Sequence, residues 1–169
     1  MHLKILLFVL LLIGTVSIVG CSISSSGNDD EYWDVSGEVI TEHATTQTAL
    51  GPGPSFDPSE GPAELAISTR LAELRIAAAE FNALRFRWQA QEPLTDFKVH
   101  YDLVTQLLES SNVGMGFAVQ AFEEMSRQIE LPVPTTDVAN ALIRQSETAI
   151  AEANAFASAA NRERDRLNR

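Results

Sequence analysis

Residues 94–129 read LTDFKVHYDLVTQLLESSNVGMGFAVQAFEEMSRQI. Taken in order, Leu94, Phe97, Tyr101, Val104, Leu108, Ser111, Met115, Ala118, Phe122, Met125 and Ile129 are separated by alternating steps of three and four. That spacing places them on one stripe of an α-helix and is the pattern of a helix packed along its length against others. Gly114 and Gly116 lie inside the run, each unfavourable by about 1 kcal/mol relative to Ala in a helix. Because the phase continues across them, the spacing predicts one long helix over about 93–130, with a kink near residues 110–116.

Two weaker stripes flank it. Upstream, Ile67, Leu71, Leu74, Ala78, Phe81, Arg85 and Trp88 keep the same stride, with Arg85 the one breach. Pro62 suits the first position of a helix and Glu64 complements its dipole. Pro93 ends it, since proline disfavours helical geometry in the residue before it. Downstream, Leu131-Pro132-Val133-Pro134 is a stop, and Thr135 or Thr136 can cap a helix that carries Asp137 in its first turn. Its stripe is Ala139, Ile143, Ser146, Ile150, Ala153, Ala157 and Ala160, flanked by Leu142, Ala149 and Phe156. These small residues allow close approach but bury little apolar area, so this helix is expected to be the least firmly held.

Helices over about 62–90, 93–130 and 135–166, joined by short connectors, must fold back antiparallel. The expected fold is all-α: an elongated antiparallel three-helix, up-down-up bundle covering residues 62–169 and roughly 45–55 Å long. Phe81, Phe86, Trp88, Phe97 and Tyr101 are expected to gather at the end near Glu92 and supply the bulk of the core. An intermolecular coiled coil satisfies the same stripes.

Before the bundle, residues 22–61 are rich in Ser, Gly, Asp, Thr and Pro, the composition of a disordered, flexible tether. The chain has 12 Lys and Arg against 23 Asp and Glu, a net charge of −11. The excess is uneven. Residues 29–64 hold nine acids and no Lys or Arg, whereas residues 65–169 hold 14 acids and 11 bases. The acidity thus belongs to the connector, and it excludes a protein held to nucleic acid by phosphate contacts. Tyr32 and Trp33 do not suit a plain spacer. Trp33, Val35, Gly37 and Val39 alternate with polar neighbours as an edge strand does, and the aromatic pair can dock on the bundle, on a partner or at a membrane interface. Asp29, Asp30, Glu31 and Asp34 disfavour insertion into lipid.

At the front, residues 5–13 (ILLFVLLLI) are apolar throughout, about half the length needed to span a bilayer. With Lys4 before them they fit a secretory signal peptide, residues 1–20. Ile18-Val19-Gly20-Cys21 follows. It resembles the lipobox of bacterial lipoproteins: an aliphatic residue, a tolerant position, a small residue and a cysteine. The resemblance implies that Cys21 receives a diacylglyceryl group and that the Gly20–Cys21 bond is cut. It also implies a protein held on the cell membrane or outer membrane, outside the cytosol, by acyl chains, which together anchor far more firmly than one chain. Cys21 is the only cysteine of the chain, so no internal disulfide or cysteine-based zinc site can form.

Catalytic constellations are missing from the sequence. There is no Glu-x-x-His, His-Glu-x-x-His, phosphate-cradling glycine loop or Gly-x-Ser-x-Gly. His43 falls in the tether. His100 follows Asp96 by one turn, reads as a solvated histidine beside an acid, and with two groups falls short of a zinc site. Arg85 and Arg87, with Arg162, Arg164, Arg166 and Arg169, give a mildly basic end, expected to point away from the anchor, and the preference of positive charge for helix C-termini accounts for it.

The expectation is a lipid-anchored, non-catalytic structural or partner-binding protein of the cell envelope, with no cofactor and no metal. Its candidate partner contacts are Trp33, Arg85 and Arg87. The alternative is a helical module that binds a small ligand or metal, with a cavity near Gly114 or a site around His100.

Overall fold

The computed structural model describes residues 28–50, 63–93, 95–131 and 135–168. These form four helices: α1 (Asn28–Leu50), α2 (Ala63–Gln89), α3 (Lys98–Ile129) and α4 (Asp137–Leu167). A 3-10 turn, Thr95–Phe97, leads into α3. No strand occurs among the described residues. The described residues are all-α, as the spacing predicts, with α2 and α4 close to the predicted limits and α3 starting at Lys98 rather than near residue 93.

The difference lies in α1. The acidic stretch read as tether, and its alternation read as an edge strand, is a 23-residue helix over residues 28–50. Its buried residues are Tyr32, Ser36, Val39, Ile40 and His43. Tyr32, Ser36, Val39 and His43 have the same four-three-four stride as the other stripes. Two of those four are polar, so a search for apolar residues sees no helix here. Asp29, Asp30 and Glu31 lie in the first turn, where acids favour a helix N-terminus.

Bonds between helices fix the topology. α2 runs antiparallel to α1: Arg70 donates to the Leu50 carbonyl at one end, and Arg87 pairs with Glu42 further along. α3 runs antiparallel to α2, with Arg75 on Glu123, Asn112 Nδ2 donating to the Phe81 carbonyl, and Trp88 Nε1 donating to Thr105 Oγ1. α4 returns along α3, where Gly114 lies against Ser146, Ala149 and Ile150. The order is up-down-up-down. α1, at the start, therefore begins at the end of the bundle where α2 gives way to α3 and where α4 finishes.

The principal core joins Leu74, Phe81, Leu84 and Trp88 of α2 to Val104, Leu108, Met115, Phe122 and Met125 of α3, with Tyr32, Val39 and Ile40 of α1 added. Phe86 departs from the expected cluster and is 58% exposed, because the buried face of α2 runs through Arg70, Leu74, Ala77, Phe81, Leu84 and Trp88. Leu84 fills the row, and Arg85 breaches nothing. On α3 a second buried column, His100, Leu107, Gly114 and Ala121, stands beside the predicted one at seven-residue intervals. Gly114 lies against Ala149 of α4, Leu107 forms a small core of its own with Ala153 and Ala157, and His100 meets rings of α1 and α2. At Gly114 an added Cβ would lie 3.0 Å from Ile150 Cγ1 and 3.2 Å from the Ser146 carbonyl oxygen. Close backbone approach, rather than a cavity, is what this glycine provides. Gly114 thus brings α4 close to α3, while the buried apolar residues of α1 are Tyr32, Val39 and Ile40. Thr136 stands at the start of α4, but its hydroxyl accepts from Asn140 Nδ2 and caps no backbone N–H.

Candidate functional site: two buried histidines

His43 and His100, read from sequence as a tether residue and a solvated histidine, are both interior. His100 is fully buried and His43 is 4% exposed. Histidine needs a polar partner at such a site, because an unpaired buried nitrogen forgoes its bonds to water. In each case the partner comes from a helix two elements away. Tyr32 Oη lies 2.7 Å from His100 Nδ1, and His43 Nε2 lies 2.7 Å from Ser111 Oγ. Both pairs join α1 to α3, and both are separated by 68 positions. Moving eleven residues along α1 moves the contact eleven residues along α3, which defines a parallel register of three helical turns.

Around His100 the chain has gathered its large rings. Trp33 meets it edge-on at 4.9 Å and Tyr32 at 5.8 Å between centroids. Tyr32 stacks on Phe97 at 4.9 Å, and Trp88 stacks on Tyr101 at 5.1 Å. Such pairs contribute about 0.5–1.5 kcal/mol each beyond their area. His43 packs its ring on Phe81 at 4.9 Å. Burial lowers both imidazoles to about 4, with Arg164 adding to the effect at His100 and Glu163 opposing it. Burial also raises the Tyr32 phenol, helped by Tyr101 and Asp102. Near neutral pH these groups are uncharged, and they bind one another as neutral donors and acceptors. His100 Nε2 is buried with no hydrogen-bond partner.

The sequence-derived candidates fall as follows. Trp33 is half-buried against Phe97 and His100, so its docking is on the bundle itself. Arg87 pairs with Glu42 of α1. Arg85 donates to Asn82 and lies over the Phe86 ring at 4.9 Å. Gly20 and Cys21 lie outside the described residues. Open grooves of about 490 Å³ beside Val113, Phe117 and Arg144, and about 530 Å³ beside Leu65, Ile67 and Ile129, are not lined by either histidine. Among the described residues no group of three or more His, Cys, Asp or Glu is placed to hold a metal ion. No described helix is long and apolar enough to cross a membrane.

The chain matches no protein-family model, and comparison with curated proteins and with solved structures finds no match to either.

Proposed function

We propose that this chain is a lipid-anchored envelope protein whose four helices serve a structural or partner-binding role, with no reaction of their own. The observation that carries the reading is Cys21, the single cysteine, standing at the one place where a lipobox requires it, directly after an apolar run of signal-peptide length. The interior supports the second half. Several of its polar side chains bind other helices: His43 to Ser111, Tyr32 to His100, Asn112 to Phe81, Trp88 to Thr105 and Arg70 to Leu50. They serve assembly and converge on no common point.

On this reading α1 also changes which end of the domain meets the membrane. Asn28 follows Cys21 by seven residues, and seven residues of extended chain reach at most about 25 Å. The end that carries the α2–α3 turn and the finish of α4 then lies towards the lipid. Arg85, Arg87 and Trp33 belong to that near end. The far end carries exposed Leu65, Leu131 and Val138, and contacts with another envelope component fall there.

Metabolic labelling with a radioactive fatty acid, in cells expressing the natural chain or Cys21→Ser, tests the reading. Label in the first and none in the second, with the substituted chain released from the membrane fraction, is the expected result. Equal labelling, or a natural chain that fractionates as free protein, overturns it.

A further inference from the structure

We propose that α1 is an acid-released strap: protonation of His43 and His100 detaches residues 28–50 while α2, α3 and α4 stay assembled. The inference rests on how α1 is attached. Of its five buried residues, only Tyr32, Val39 and Ile40 are large and apolar, or aromatic, while Ser36 and His43 are polar. Two bonds inside the bundle, Tyr32 to His100 and His43 to Ser111, join it to α3, and an imidazole takes part in each. At its surface it has Glu42 on Arg87, Thr46 donating to Glu80, and the Leu50 carbonyl accepting from Arg70. The first two are exposed and hold little, and the third ties only the last residue of α1 to the buried Arg70 side chain. By contrast α2, α3 and α4 share a core of their own through Leu74, Phe81, Trp88, Val104, Leu108 and Phe122, with Gly114 locking α3 to α4.

Neither histidine has a carboxylate ready to receive its proton as an ion pair. His43 meets the Ser111 hydroxyl from α3 and the Phe81 ring from α2, while Glu42 and Glu80 nearby are engaged with Arg87 and Thr46. His100 meets Tyr32 and Trp33 from α1 and Trp88 from α2. Its charged neighbours on α4 are Arg164, which opposes a second positive charge, and Glu163, whose two oxygens are held by Arg166. Asp102 of α3, which acts on Tyr32, is paired with Lys98. A protonated imidazole in either place is a buried charge, and α1 leaving brings both rings to water.

Both imidazoles are held near 4 when docked, against 6.5 in water. For each, docking is therefore weakened on the order of 30-fold at pH 5 and, for the two together, roughly 1,000-fold. Once free, α1 has little reason to persist as a helix, since Gly37, Val35, Val39, Ile40 and four threonines lower its propensity.

The test uses the full chain with Cys21→Ser, so that lipidation plays no part and the two proposals fail separately. Spin labels go on cysteines placed at exposed Glu38 and Gln106, which report α1 against α3, and at Ala83 and Gln106, which report α2 against α3. Between pH 7.5 and pH 4.5 the first distance is expected to change from one narrow distribution to a broad one, and the second to stay narrow. His43→Gln/His100→Gln, which keeps hydrogen-bonding groups that do not titrate, is expected to stay docked. Where the double variant does not fold, His43→Gln and His100→Gln singly are each expected to cut the loss at pH 5 from roughly 1,000-fold to about 30-fold. A first distance unchanged to pH 4.5, both distances broadening together, or variants that release α1 as the natural chain does would each overturn the proposal.

Discussion

His43 and Ser111 bond at 2.7 Å with the same 68-residue offset as Tyr32 and His100. Helices α1 and α3 thus lie parallel and in register, linked by two imidazole bonds three turns apart. An error of one residue in that register would leave both histidines without partners in the interior. The bonds consequently specify how α1 sits.

Removing a hydroxyl tests the energetic side. Ser111→Ala leaves His43 Nε2 buried and unpaired, and Tyr32→Phe does the same for His100 Nδ1. Each is expected to lower unfolding stability by about 1–3 kcal/mol, read from urea denaturation at pH 7.5. A change below a few tenths of a kcal/mol in both would show that these bonds contribute nothing net.

Stability should also depend on pH with a definite sign. Burial lowers both histidines to about 4 from 6.5, so the unfolded chain binds more protons between those values. Stability contributed by the neutral rings is complete above about pH 6.5, falls as pH drops towards 4, and levels off below. From pH 6.5 to 5, before most carboxylates titrate, the slope should approach about 1.4 kcal/mol per pH unit for each histidine. Urea midpoints measured at half-unit intervals check this, and a flat profile over that range contradicts it.

The two glycines of α3 should respond in opposite directions. A Cβ at Gly116 meets nothing within 4 Å, so Gly116→Ala is expected to stabilise by about 0.5–1 kcal/mol through helix propensity. A side chain at Gly114 runs into Ile150 and the Ser146 carbonyl, so Gly114→Leu is expected to cost at least about 1–3 kcal/mol. Thermal melts of the pair decide it, since a ligand cavity at Gly114 would accept the leucine.

Phe81 and Phe86 test the assigned face of α2. Phe81→Ala opens the core and is expected to cost about 3–5 kcal/mol, whereas Phe86→Ala should remain within about 0.5 kcal/mol of the natural chain. Equal losses would mean that the buried face had been misplaced.

These contrasts show how much could be read from residue order. The stripes through Phe81, Leu108 and Ala153 were legible because apolar side chains repeat there at helical spacing, and α2, α3 and α4 follow them. α1 was hidden because its buried row alternates Tyr32 and Val39 with Ser36 and His43, and polar residues in a row count as surface in any pattern built on hydrophobicity. The second column of α3 was hidden likewise, since His100 and Gly114 announce neither burial nor close packing. Both histidines were visible as residues, but their surroundings depend on contacts 68 positions away, which spacing along one helix cannot supply.

The anchor carries the functional account, and the intact mass of the membrane-extracted protein tests it most directly. The account predicts a chain that begins at Cys21, heavier than its sequence by a diacylglyceryl group and, where the amine is acylated, by one further acyl chain. A chain that begins elsewhere, or that begins at Cys21 with a free thiol, would contradict it.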